Sequence, residues 1–175
     1  MIDFTKAITI IQNAPEFDRE YRRLRFCDIK KKPWWYPYKN FYSTLGNTVY
    51  YPEKAEFTDP LHQASILVHE ATHLIQWDRL GFVNFSTRYA QAAGRLALEK
   101  DAFRTQFLWW IIHGRIPHPR VTNNPKIMYT QMYYVGGAMR TFHTVYKISH
   151  IVSFDNLMDW ATEEIVALFA QYRPG

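Results

Sequence analysis

The sequence predicts a mostly α-helical domain of the α+β class, and three observations lead to this prediction. Apolar residues recur at helical spacing in several segments, capping residues bracket one of the longest, and a single short run has strand composition. The 175 residues, 47% hydrophobic and 21% charged, suit one globular core. We therefore expect residues 1–175 to form a single domain that is helical apart from a small β-sheet or edge strand.

The predicted helices share apolar stripes at helical spacing and end at proline or glycine. They cover residues 3–13, 16–26, 60–80 and 86–113, two segments within 118–152 that meet at Gly136–Gly137, and a final helix with its apolar stripe from Leu157 to Tyr172. The helix over 60–80 is the best marked. Asp59 suits its N-cap, Pro60 its first turn, and Gly81 the position after its end.

One strand is predicted, directly before the capped helix. Thr48, Val49, Tyr50 and Tyr51 are β-branched or aromatic, Gly46–Asn47 precedes them as a turn, and Pro52 follows. Because proline cannot donate to a neighbouring strand, this composition favours a strand at the edge of its sheet.

The capped helix contains the residues that point most directly to chemistry. His69, Glu70 and His73 form an H-E-x-x-H motif inside an apolar run. Residues four apart lie on one helix face, so both imidazoles can bind one zinc ion at about 2.0–2.1 Å. Glu70 lies beside them, where its carboxylate can act as general base toward a metal-activated water. The alternative is a pair of core histidines that are hydrogen-bonded to other partners.

A catalytic zinc site needs a third protein ligand, and Glu99 is the best candidate. It lies 26 residues after His73 on the apolar stripe of the next long helix. The alternative is a surface ion pair with Arg95, one turn away. Asp101 is the rival ligand, but two residues along a helix turn it away from Glu99. Gly94 inside this helix indicates that another helix passes close by, and the candidate is the one with the motif.

These residues resemble the gluzincin branch of the zincin metallopeptidases. The likeness rests on His69-Glu70-x-x-His73, a later helical Glu99-x-x-Ala102, and a strand upstream of the motif helix, and it covers about residues 46–106. It implies a minimal single-domain peptidase in which His69, His73 and Glu99 bind zinc and Glu70 is general base. The chain departs from many relatives at Phe103, where they carry an aspartate that orients a ligand. The third histidine of the metzincin branch is absent.

Two further roles follow from the resemblance. An edge strand before the zinc helix pairs with extended substrate, which gives this role to Thr48, Val49 and Tyr50. A tyrosine or histidine beyond the third ligand stabilises the oxyanion. Four residues of those types are available, namely Tyr134, His143, Tyr146 and His150, and the sequence does not choose among them. We take Tyr134 and His143 as the candidates for stabilising the oxyanion.

The leading hypothesis is a zinc-dependent peptidase that acts on a peptide or protein, or on cell-wall peptides if the chain is a phage product released by lysis. The alternative is a non-catalytic zincin-like metal-binding module for nucleic acid or another anionic partner. The net charge of +5 and residues 30–38, which join three lysines to four aromatic rings, are the observations behind it. Two prolines in that stretch favour a solvated loop whose rings pack on the domain, so nucleic acid is the disfavoured partner.

Composition also bears on location. The longest run of large apolar side chains, residues 107–112, is too short to cross a membrane. Asp3 stands where a secretory leader would be basic, and Cys27 is the sole cysteine. We therefore expect a cytoplasmic protein without a signal peptide. The oligomeric state is not predicted.

Overall fold

The computed structural model describes residues 3–35, 41–52, 59–116, 132–145 and 148–172. It is mostly helical with a three-stranded sheet, which confirms the predicted mostly α (α+β) class. The residues group into two compact units, Met1–Thr87 and Arg88–Gly175. The single domain over residues 1–175 stays a prediction. None of the described helices combines the length and the apolar character that a membrane span requires.

The first unit opens with short helices that lie where helical spacing predicted them. Its elements, in order, are α1 (Thr5–Gln12), a 3-10 turn (Pro15–Phe17), α2 (Asp18–Leu24), β1 (Asp28–Lys31), β2 (Ser43–Leu45) and β3 (Thr48–Tyr51). Ala7 and Ile11 are fully buried on α1, and Phe4 packs its ring 5.4 Å from that of Tyr51 on β3. Phe4, at the N-cap of α1, thus packs the start of this helix against the small sheet.

The predicted edge strand, β3, is the middle strand of the sheet, so that prediction was wrong. The strand order is β1-β3-β2, with β1 parallel and β2 antiparallel to β3. β2 and β3 are joined by the turn at Gly46–Asn47, where Gly46 has a φ of 60° that favours glycine. β1 was missed because its residues, Asp-Ile-Lys-Lys, are mostly charged and exposed and give no apolar alternation.

A turn residue ties the sheet to its surroundings. The Asn47 amide donates to the carbonyl oxygen of Phe26 at 2.6 Å, and its side-chain oxygen accepts from Arg23 Nη1 at 2.6 Å. The same Arg23 guanidinium forms an ion pair with Asp78 on the helix that follows the sheet. This network fixes α2 and the β2–β3 turn against that helix.

The long helical element α3 (Pro60–Ala90) carries the H-E-x-x-H motif. Asp59 Oδ1 accepts the backbone N–H of Leu61 at 3.0 Å, which confirms the predicted N-terminal cap. The helix is interrupted at Gly81, with φ 73° and ψ 163°, where the sequence predicted its end. A further helical stretch follows directly after Gly81 and runs to Ala90.

The second unit begins at the end of α3 and contains α4 (Ala92–Ile112). Gln91, with φ −83° and ψ 132°, breaks the two helices apart. The sequence had placed the start of this helix at Ser86 or Thr87, which lie instead inside α3, so that prediction was wrong. The predicted end holds, because Gly114 has a φ of 65° just after α4.

The rest of the second unit packs against α4. A π-helical turn (Met132–Gly136) leads into α5 (Gly137–Val145), and α6 (Phe154–Gln171) follows. Rings join these helices: Phe103 lies 5.2 Å from Phe142, and Phe107 lies 5.9 Å from Trp160. The helical change at Gly136–Gly137 lies where two helices were predicted to meet, whereas residues 117–131 fall outside the described part.

Candidate metal centre

The two motif histidines lie one turn apart on α3, as their spacing predicted. Their imidazole rings are 5.0 Å apart and nearly perpendicular, and both side chains are buried. The helix is anchored around them by Leu67, Val68 and Leu74, which are fully buried. Burial of these apolar neighbours holds both imidazoles inside the protein, where a polar ring needs a partner that satisfies it.

Gln76 orients one of the histidines. Its side-chain oxygen lies 2.9 Å from Nδ1 of His73, and the amide is buried. A neutral imidazole that donates from Nδ1 carries its lone pair on Nε2, which makes Nε2 the atom able to bind a metal. Sequence reasoning did not assign this role to Gln76, although its position three residues after His73 places it on the same face of the helix.

Glu70 is held by a residue from the sheet. Its carboxylate Oε2 accepts a hydrogen bond from Thr44 Oγ1 at 2.7 Å, and the carboxylate is buried. Thr44 lies on β2, 26 residues earlier in the chain. No local pattern links the two positions, so the sequence alone could not reveal this contact.

The Glu70 carboxylate also interacts electrostatically with a lysine and a tyrosine. Burial lowers the pKa of Lys32 to about 8, and the negative charge of Glu70 opposes this shift. Burial and the Glu70 charge both raise the pKa of Tyr42. The carboxylate of the predicted general base therefore has a hydrogen bond from Thr44 and electrostatic interactions with Lys32 and Tyr42, all within the first unit.

Glu99 lies on α4, fully buried, as the apolar stripe predicted. Its Oε1 accepts a hydrogen bond from Tyr89 Oη at 2.7 Å. The alternative considered from sequence was an ion pair with Arg95; the hydrogen bond observed for Arg95 runs from Nη1 to the carbonyl oxygen of Tyr89 at 3.0 Å. Asp101 is exposed, in line with the prediction that it points away. Arg104, three residues further along α4, forms an ion pair with Glu164 at 2.7 Å.

Three predicted ligands offer their atoms together. One ligand atom from each of His69, His73 and Glu99 lies within 4.8 Å of the other two, and all three residues are buried. Two imidazole nitrogens and one carboxylate oxygen are a donor set that catalytic zinc takes, with a fourth position left for water or substrate. The residues present therefore fit a zinc ion by chemistry and by grouping.

The other predicted site residues have structural contacts of their own. Tyr134 packs its ring 5.5 Å from that of Trp110, and its hydroxyl lies 3.5 Å from Arg115 Nη1. His143 Nε2 lies 3.2 Å from the carbonyl oxygen of Val152. An oxyanion role for Tyr134 or His143 stays a prediction. Tyr146 lies outside the described residues.

The strand predicted to bind substrate is enclosed by its neighbours. Thr48, Val49 and Tyr50 pair on one side with β1 and on the other with β2. Since both sides of β3 are used within the sheet, an extended peptide cannot add to it as a further strand. The edge strands of this sheet are β1 and β2, and it is Thr44 on β2 that contacts Glu70.

Comparison with known proteins yields no relatives for this chain. No family model matches it, and no match was found among curated proteins or solved structures. The functional argument therefore depends on the residues themselves.

Proposed function

We propose that the chain is a zinc-dependent metallopeptidase of the minimal gluzincin type. The observation that carries the proposal is the buried grouping of His69, His73 and Glu99 around the H-E-x-x-H motif. Burying two imidazoles and a carboxylate close together costs free energy, which a ligand common to all three groups would offset. A zinc ion does so directly.

Each residue of the proposed site has a defined task. His69, His73 and Glu99 hold the ion, which when bound supplies a Lewis acid for the substrate carbonyl and lowers the pKa of water. Glu70 takes the proton of the attacking water and passes it to the leaving amine. Thr44 keeps the Glu70 carboxylate in one orientation through its 2.7 Å hydrogen bond.

The proposed substrate is a peptide or protein in extended form, with cell-wall peptides as one class. Because β3 is enclosed, we place the substrate along β2. An added strand pairs through main-chain hydrogen bonds, and the contact of Thr44 with Glu70 brings this edge to the general base.

Substitution of the general base tests the catalytic proposal. Glu70→Gln keeps the shape of the side chain but removes its basicity, so we expect hydrolysis to fall by a factor of about 100 or more while zinc content stays at the wild-type level. The assay uses labelled casein and a quenched-fluorescence peptide library, with metal content measured by elemental analysis. Asp101→Asn, at an exposed carboxylate, is the matched control. Undiminished hydrolysis in Glu70→Gln would contradict the assignment.

A second candidate function rests on exposed rings near the lysines. Trp34 and Trp35 are 83% and 65% exposed, so these two rings are not buried against the domain as expected, whereas Tyr36 and Tyr38 lie outside the described residues. Lys30 and Lys31 lie just before them on β1. Aromatic faces beside cations suit an anionic partner such as single-stranded nucleic acid. If this is the function, a Trp34→Ala/Trp35→Ala variant loses oligonucleotide binding, while Glu70→Gln retains it.

A further inference from the structure

We propose that Tyr89 is a positioning residue for the metal centre, which fixes the Glu99 carboxylate so that it binds zinc. The inference rests on the zinc site proposed above and goes beyond it, because nothing in the motif or in the gluzincin resemblance involves Tyr89. It depends only on contacts within the second unit.

The hydrogen bond between the two residues is short, and its acceptor is buried. Tyr89 Oη donates to Glu99 Oε1 at 2.7 Å, and Glu99 has no exposed surface. A hydrogen bond to an ionised carboxylate is stronger than one between neutral groups. It holds one carboxylate oxygen in a defined direction, and glutamate oxygens are among the ligands that zinc takes.

The backbone around Tyr89 is also held in place. The extended backbone of Gln91 interrupts the helical path between α3 and α4, and Tyr89 lies three residues before the start of α4. Arg95 Nη1 donates to the Tyr89 carbonyl oxygen at 3.0 Å. Tyr89 is thereby held by hydrogen bonds at both its hydroxyl and its main-chain carbonyl.

A glycine allows the start of α4 to approach the end of α3 closely. A Cβ atom at Gly94 would overlap the carbonyl oxygen of Arg88, which is a backbone atom and cannot turn aside. The close approach expected from Gly94 thus exists. Its partner is the last turn of α3, not the helical stretch that carries the motif as the sequence suggested. The contacts of Gly94, Arg95 and Glu99 hold α4 against the last turn of α3 and orient Tyr89 toward the Glu99 carboxylate.

Groups that hydrogen-bond to metal ligands set ligand orientation, and their loss typically weakens metal binding 10- to 100-fold. Phe103 stands where many gluzincins carry an aspartate that orients a ligand. In this chain Tyr89 orients Glu99 through a hydrogen bond, just as Gln76 orients His73.

The test measures zinc affinity of the full chain by competition with a chromophoric chelator. We expect Tyr89→Phe, which keeps the ring and loses only the hydroxyl, to raise the zinc dissociation constant about 10- to 100-fold. Tyr172→Phe, at an exposed tyrosine at the end of α6, is the matched control and should bind zinc as the wild type does. Circular dichroism of the metal-free variants shows whether the fold is kept.

A second variant and a second signal make the result independent of one substitution. Arg95→Met removes the bond to the Tyr89 carbonyl and should weaken zinc binding in the same direction by a smaller factor. The visible absorption of the cobalt-loaded protein should change in Tyr89→Phe, because the carboxylate is no longer fixed at Oε1. A purely structural role for Tyr89 would lower thermal stability without altering this spectrum.

The outcomes separate the two proposals. Wild-type zinc affinity in Tyr89→Phe, within a factor of about two, together with loss of affinity in Glu99→Gln, overturns the role of Tyr89 and leaves the zinc site standing. Zinc binding by the wild type without any peptidase activity overturns the proposed function alone. A wild-type chain that binds no zinc overturns both.

Discussion

Glu70 shows which features of the site the sequence could reveal. Its relation to His69 and His73 was predictable, because spacing along one helix fixes which side chains share a face. Its hydrogen bond with Thr44 and its electrostatic interaction with Lys32 were not, since both residues lie far earlier in the chain. Tyr89 escaped prediction in the same way, because the helix break at Gln91 that turns it toward Glu99 has no cap signal.

Lys32 gives a prediction for pH dependence. Its pKa is lowered from 10.5 to about 8, chiefly by burial, so between these values the folded chain has released a proton that the unfolded chain still binds. The free energy of unfolding should therefore rise with pH between about 8 and about 10.5 by the contribution of Lys32. We expect Lys32→Met to lose this rise when urea unfolding is followed across that range.

Lys30 supplies the control for that experiment. It is exposed, and its hydrogen bond to Asp28 raises its pKa. The stabilisation it contributes is present at lower pH and is lost only as pH rises through the raised value. Lys30→Met should therefore keep the rise between pH 8 and 10.5. Identical pH profiles for wild type and Lys32→Met would contradict the prediction.

At the level of elements, strong local signals were reliable and weak ones were not. The cap at Asp59, the break at Gly81 and the end of α4 before Gly114 were all predicted. Ser86 and Thr87 resemble a helix start but lie inside one, because the stretch after Gly81 continues to Ala90. Strand order depends on long-range pairing, which is why the central position of β3 was not foreseen.

The close packing of α4 against the last turn of α3 gives a prediction at the level of elements. Glycine-to-alanine changes inside helices usually stabilise by up to about 1 kcal/mol. Gly94→Ala should instead destabilise by about 1–3 kcal/mol, since its Cβ would overlap the Arg88 carbonyl. Gly137→Ala, where a Cβ would meet no atom within 4 Å, is the matched control and should be neutral or stabilising. Chemical denaturation measures both, and equal effects would refute the close packing at Gly94.

For the whole molecule, the fold class and the motif were predictable, and the division into two compact units was not. Composition and length gave a single globular domain, because no linker-like segment separates residues near Thr87 and Arg88. The boundary lies inside α3, where the composition of the chain does not change. The sequence therefore specified which elements form better than how their contacts are grouped.

Zinc should stabilise the molecule as a whole. A ligand that binds only the folded state adds about 2.7 kcal/mol to the free energy of unfolding at 100 times its dissociation constant. We expect zinc to raise the thermal midpoint of the wild type and a chelator to reverse this. His73→Ala should lose the response, whereas His150→Ala, at an exposed histidine, should keep it. A zinc response that survives in His73→Ala would place the ion elsewhere.

The arrangement of the sheet also constrains the order in which this part of the chain can assemble. The β2–β3 hairpin closes a loop of only Gly46 and Asn47, whereas β1 must join β3 across the whole segment between them. Short loops lose less entropy on closure and form sooner. The hairpin can thus act as an early nucleus onto which β1 docks. Asn47, in the hairpin turn, hydrogen-bonds to Arg23 and Phe26. These bonds hold the segment just before β1 against the hairpin once β1 has paired.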